Sequence, residues 1–199
     1  MYSREIKEVI EKASTEAVFT PKDFLNITSY NNAKLVLSRL EKTGMIKRLI
    51  DGFYYKPVFS KLINDYAPIS PYAFVNKVAQ INDWNICVYG EAALNYFSLS
   101  TQVPAKYIFI SDGPYRTYNI DCVVIYFKHT NKNIKKVPFR VAAALEALKY
   151  LGKDKVDKKV IERLKSQLTE NELLELEKHS IKSSIWIYNI IKNENKWLN

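Results

Sequence analysis

Glycine is scarce in this chain. Its five glycines, at positions 44, 52, 90, 113 and 152, never fall closer than eight residues apart, so no Gly-rich loop is available to cradle a phosphate. With only seven prolines as well, no long flexible linker or low-complexity arm is expected. Histidine is rarer still, at His129 and His179, and no Cys/His cluster has metal-ligand spacing. The two cysteines, Cys87 and Cys122, both sit in apolar stretches, which reads as buried free thiols in a reducing cytoplasm. No run approaches the roughly 20 apolar residues of a membrane helix, so no membrane partner is expected. The first residues, MYSREIKEVIEKAS, read as a charged helix rather than a signal peptide.

The acids do not assemble into a catalytic pattern. A nucleotidyltransferase needs a close carboxylate pair behind a Gly-Ser turn. Here Gly90 is followed by Glu91, and Asp112 by Gly113-Pro114. Asp112 and Asp121 would meet only across a hairpin, where turn acids are common. Asp157-Lys158-Lys159 lies in a charged helical stretch and reads as solvated surface. His129 sits at a strand end beside Lys128 without an acid and nucleophile pattern. Neither an enzyme nor a bound cofactor is expected.

What the chain has in excess is positive charge. It carries 30 Lys and Arg against 21 Asp and Glu, a net +9. The excess is +3, +4 and +2 over residues 1–60, 61–140 and 141–199, spread along the chain rather than gathered in a tail. Such a balance attracts polyanions without specifying one. The basic run KHTNKNIKK, residues 128–136, reads as a solvated loop before it reads as a nucleic-acid contact.

Periodicity orders the elements. Ile6, Val9, Ile10 and Ala13 have the spacing of an amphipathic helix. Thr20 and Pro21 then start a short second helix. A third runs from Ser29 or Tyr30 to Thr43, and Gly44 ends it. Ala33, Val36, Leu37 and Leu40 form its apolar stripe, leaving Asn31, Asn32, Lys34, Leu35, Ser38, Arg39 and Lys42 around the other side. MIKRLI and FYYK follow as strands about an Asp51-Gly52 turn. Three helices and a hairpin are the order of a winged helix-turn-helix, placed at residues 1–57 with a boundary near 57–68. The remainder, 58–199, reads as an α+β domain. It has a helix from Ser70-Pro71 to Asp83, a strand NICVY, a short helix GEAALNYF, and strands KYIFIS, YRTYNI and DCVVIYFKH, the first two joined by DGPY. From Pro138 onward the pattern is helical. Trp84, Tyr96, Phe97, Phe109 and Trp186 read as core aromatics.

The third helix has the features of a groove reader. Tyr30, Asn31 and Asn32 stand at its start, where a recognition helix presents short polar side chains, and asparagine pairs bidentately with adenine. Lys34, Arg39 and Lys42 are placed for phosphate oxygens, with Thr28 and Ser29 in the preceding turn. In the hairpin, Lys47, Arg48 and Lys56 flank the turn, while Asp51 at the tip is unwelcome against a backbone. Tyr54-Tyr55 reads as half core and half hairpin surface. The competing reading is that the same unit is a docking or dimer module, its lysines merely solvated.

FTPKDF (residues 19–24), LSRLEKTGMIKR (37–48) and GFYY (52–55) resemble the winged helix of AbiEi-type antitoxins, known from type IV toxin–antitoxin and phage abortive-infection systems. YGEAALNYFSLSTQVPAK (89–106), SDGP (111–114) and FKHT (127–130) resemble the middle of that family's second domain. The likeness covers roughly residues 19–151. It implies a cytoplasmic, DNA-binding antitoxin that represses its own operon through promoter repeats and opposes a nucleotidyltransferase-like toxin, without a stable complex being required. Carried over by position, DNA reading falls on Tyr30, Asn31, Asn32, Lys34, Arg39, Lys47 and Arg48. The alternative is an interaction module that neutralises a toxin by direct contact, with the winged helix as scaffold.

Overall fold

Isoleucines one helical turn apart open the first core. In the computed structural model, which describes residues 2–62, 64–102, 104–121, 123–131 and 137–195, helix α1 spans Tyr2–Lys12 and buries Ile6 and Ile10 completely. Val9 lies off that face, exposed to solvent. The chain then forms a short strand β1 (Val18–Phe19) and a 3-10 turn over Pro21–Phe24. The expected second helix is therefore a single turn. The Asp23 carboxylate accepts both the Thr20 N–H (2.6 Å) and the Thr20 hydroxyl (3.1 Å), which closes the turn on itself.

Helix α2 spans Tyr30–Lys42. Ser29 caps it by accepting the Asn32 N–H at 3.4 Å. At its other end Gly44 has φ +77, a left-handed conformation that glycine adopts without cost. Strands β2 (Lys47–Ile50) and β3 (Phe53–Tyr55) follow, and β1 adds to β3, giving a three-stranded sheet in the order β1-β3-β2. Phe19, Phe24, Ala33, Val36, Leu37, Ile46 and Tyr54 complete the core begun by Ile6 and Ile10. Tyr54 and Tyr55 are both buried, a correction to the half-surface expectation: pairing with β1 covers them. A two-stranded ribbon, β4 (Phe59–Ser60) with β5 (Asp65–Tyr66), precedes helix α3 (Pro71–Asn82). Lys77 of α3 is paired with Asp23, and the Phe74 ring packs on Phe53 at 5.1 Å. By compactness this unit runs from Met1 to Asp83 and the second from Trp84 to Asn199. The sequence expectation put the boundary near 57–68, on the other side of α3.

The second unit is built on β6 (Ile86–Tyr89), β7 (Lys106–Ser111), β8 (Arg116–Ile120) and β9 (Val123–His129), in the order β6-β7-β9-β8. Helix α4 (Glu91–Tyr96) lies between β6 and β7 in sequence. DGPY does not make a hairpin: β7 pairs with β9 in parallel, and β8 pairs with β9 from the far edge. The reason is local. Asp112 accepts the Asn85 N–H (2.8 Å) and side-chain amide (2.7 Å), and Gly113 sits under the Trp84 ring, so the segment is held against β6 instead of reversing onto β7. Helices α5 (Phe139–Leu151), α6 (Lys158–Gln167), α7 (Glu170–Ser183) and α8 (Ile185–Asn195) complete an α+β chain with a helical end. Asp157 caps α6 by accepting the Val160 N–H, and the Thr169/Glu172 box caps α7. Phe97 and Phe109 are fully buried, whereas Trp84, Tyr96 and Trp186 are half-buried.

Candidate nucleic-acid interface

Helix α2 buries Ala33, Val36 and Leu37 and turns the opposite side to solvent. Asn31, Lys34, Leu35, Arg39 and Lys42 are all exposed. Residues 31, 34, 35, 38 and 42 recur at helical neighbour spacing, so they form one stripe. Lys34, Arg39 and Lys42 make no ion pair or side-chain hydrogen bond among the described residues, and their charges face water. At the start of the helix three predicted residues are bound to one another. The Asn32 amide donates to the Thr28 hydroxyl at 3.2 Å, and the Asn32 N–H donates to the Ser29 hydroxyl. Asn31 and Tyr30 stand clear of that network.

The hairpin cations are placed differently. Arg48 Nη2 donates to Glu41 Oε2 at 3.0 Å and to the Tyr54 hydroxyl at 3.1 Å. Lys56 Nζ donates to the carbonyls of Glu11 (2.7 Å) and Ala13 (2.8 Å), closing the end of α1. The ammonium of Lys47 lies 3.9 Å from the centroid of the Tyr66 ring, a cation–π contact. The structure thus gathers Tyr30, Asn31, Lys34, Arg39 and Lys42 on one open surface and draws Lys47, Arg48 and Lys56 into internal contacts. Sequence reasoning passed over Leu25, which is 55% exposed in the turn before α2; the neighbouring FLNI pattern gives no sign of which apolar residue is left outside.

Other candidates resolve into structural roles. Asp112 is taken by Asn85 and Asp157 by the start of α6, as described above. No group of three or more His, Cys, Asp or Glu placed to hold a metal occurs among the described residues. Cys87 is half-buried, and burial pushes its thiol up to about 12, so it stays protonated and unreactive. Cys122, and Lys132, Lys135 and Lys136 of the basic run, lie outside the described residues. Among the described residues no helix is long and apolar enough to cross a membrane.

A family described as a family of unknown function (DUF6088) matches residues 5–176. The chain belongs to that family. No curated protein matches it. The matched span of DUF6088 takes in the whole of α2 and reaches into α7, so both compact units contribute to it.

Proposed function

We propose that the first unit is a winged helix-turn-helix that binds duplex DNA through α2, and that the chain is a cytoplasmic regulator of the AbiEi antitoxin type. In this reading it represses its own promoter, at repeats, and opposes a nucleotidyltransferase-like toxin encoded beside it. One observation carries the DNA reading: three exposed cations without ion-pair partners among the described residues, Lys34, Arg39 and Lys42, share an open surface with Asn31. Here the hairpin cations are engaged internally while those of α2 are left available for phosphates. Asn31, near the start of the helix, is placed where a groove-reading helix contacts base edges.

The test is binding of the purified protein to DNA upstream of its own gene, with unrelated competitor, across a salt series. A variant with Asn31, Lys34 and Arg39 changed to alanine is run beside it. Specific binding that is lost in the variant supports an autoregulator reading through α2. Salt-sensitive binding to any DNA reduces the reading to a basic surface.

A second reading draws on Leu25, Tyr30 and Leu35, which are 55%, 46% and 57% exposed. Large apolar side chains on and beside α2 suit a protein partner, and the unit would then be the scaffold of a module that neutralises a toxin by contact. Absence of DNA binding, with retention of a co-expressed toxin on the protein, would establish it.

A further inference from the structure

A pair of adjoining cavities lies wholly within the second unit. Val88, Phe109, Ile125 and Phe127 fill the packed face of its sheet. The register turns alternate residues the other way: Cys87 stands opposite Ile110, and Ile110 opposite Lys128. Over them is a cleft of about 480 Å³, walled by Tyr89, Tyr115, Lys128, His129 and Lys149. A smaller recess of about 360 Å³ shares Cys87, Glu146 and Lys149 with the first and is closed by Leu145 of α5 and by Lys182 and Ser183 of α7. The two cavities therefore adjoin, with Lys149 between them.

The chemistry along this trough is ordered. Lys128 lines the larger cavity, Lys149 both, and Lys182 the smaller. Against them, among the described residues, stands one lining carboxylate, Glu146, 3.1 Å from Lys149. His129 lies beside them: its Nδ1 is 2.9 Å from the Gly113 carbonyl and its Nε2 2.7 Å from Asn131 Oδ1. The Gly113 carbonyl, with the Asn131 side chain second, raises the pKa of this exposed ring above its ordinary value. Two tyrosines, one at the end of β6 and one just before β8, the outer strands, give flat apolar surface along the cleft. Tyr115 is 73% exposed and its ring lies 6.2 Å from that of His129; Tyr89 lies 5.8 Å from the Lys128 ammonium.

We propose that this trough binds a nucleoside bearing a 5′-polyphosphate, its base against Tyr115 and its phosphates running past Lys128 and Lys149 to Lys182. Stacking on exposed aromatic rings serves any base, and a row of ammonium groups suits a chain of phosphates better than a single anion. Cys87 on the floor of the trough is held protonated by burial, so it offers no thiolate to a bound ligand. The ligand is either a free nucleotide or the 5′-triphosphate end of an RNA, and DNA binding by α2 is not required for either.

Calorimetric titration of the full chain with adenosine, AMP, ADP, ATP, inorganic triphosphate and a short 5′-triphosphorylated RNA tests this. Affinity is expected to rise with each phosphate, and ATP to bind more tightly than inorganic triphosphate. Tight binding of the RNA with weak binding of ATP assigns the RNA end as the source of the same chemistry; the reverse assigns the free nucleotide. Lys182→Ala, at an exposed position, should weaken ATP about fivefold, the size of one ammonium–phosphate contact, and leave AMP unchanged. Tyr115→Ala should weaken all nucleotides but not inorganic triphosphate. Equal binding of ATP and inorganic triphosphate, indifferent to Tyr115→Ala, would leave only an anion-attracting surface and overturn the proposal, as would no binding by any of these ligands.

Discussion

Arg48 on β2 is tied to Glu41 on α2 at 3.0 Å, and this pair links the hairpin to the helix. The same guanidinium reaches the buried Tyr54 hydroxyl, so it spans core and surface. Arg48→Ala is therefore expected to act on stability, by about 1 kcal/mol for a half-exposed pair, which lowers the melting temperature of a unit this size by roughly 4–8 °C. DNA affinity should change less than in Arg39→Ala. A melt combined with fluorescence anisotropy on promoter DNA separates the two effects. Equal loss of affinity in both variants, with an unchanged melt, would make Arg48 a phosphate contact instead.

The α2 cations carry the complementary expectation. Each of Lys34→Ala, Arg39→Ala and Lys42→Ala should reduce the slope of log affinity against log salt by about 1, one phosphate contact apiece. Lys56→Ala should leave the slope alone and lower the melting temperature, because its ammonium holds the carbonyls at the end of α1. A slope unchanged by all three α2 substitutions would move DNA contact off this helix.

Local signals made much of the fold legible. The Ser29 cap, Gly44 stop and Asp51-Gly52 turn lie within a few residues of what they organise, and α2 and the hairpin fall where those residues direct. The strand order was not legible. Whether β8 folds back on β7 or crosses to the far edge of β9 depends on Asp112 meeting Asn85, 27 residues away, and on Gly113 fitting under Trp84. A short strand such as Val18–Phe19 has no periodicity to display, and only its pairing with β3 defines it. For the candidate interface, composition shows which side chains are cationic but not which have a neighbour. Lys34 and Lys56 look alike in sequence, and only folding brings Lys56 onto the end of α1.

Gly113 yields a sharp test of that crossover. A Cβ built there would lie 2.3 Å from two atoms of the Trp84 indole, closer than any real contact. Gly113→Ala must displace the ring or the turn and is expected to cost about 3 kcal/mol, the upper range for overpacking. Near-ultraviolet circular dichroism should report the altered Trp84 environment. A variant with wild-type stability and spectrum would show that the indole does not cover this glycine.

Cys87 should resist alkylation. Its thiol is pushed up to about 12, first by burial and then by the Glu146 charge, with Lys149 acting against them. At pH 8 the thiolate is therefore a very small fraction, and the native protein should react with iodoacetamide far more slowly than the unfolded chain. Replacing Cys122 with serine leaves one thiol to count. Comparable rates folded and unfolded would contradict the environment described for the floor of the trough.

His129 supplies the pH dependence. Its pKa is raised above 6.5 by the Gly113 carbonyl first and the Asn131 side chain second, with Asp112 adding a smaller attraction and desolvation opposing. A histidine raised in the folded state contributes stability that is full below its unfolded pKa and is lost as pH rises through the folded value. The window therefore opens at about pH 6.5 and extends upward. Lys128, Lys149, Tyr115 and Glu146 line the cleft beside His129, Asp112 lies near its ring, and His179 lines the adjoining recess, so the comparison with His129→Gln is what isolates this imidazole. An NMR titration of the His129 ring should give a midpoint above that of an unperturbed histidine, and Asn131→Ala should bring it down. Triphosphate binding to the second unit should weaken over the same window in the wild-type protein relative to His129→Gln, the ligand's own titration being common to both. Parallel pH profiles for the two proteins would remove His129 from the site while leaving the lysines in place.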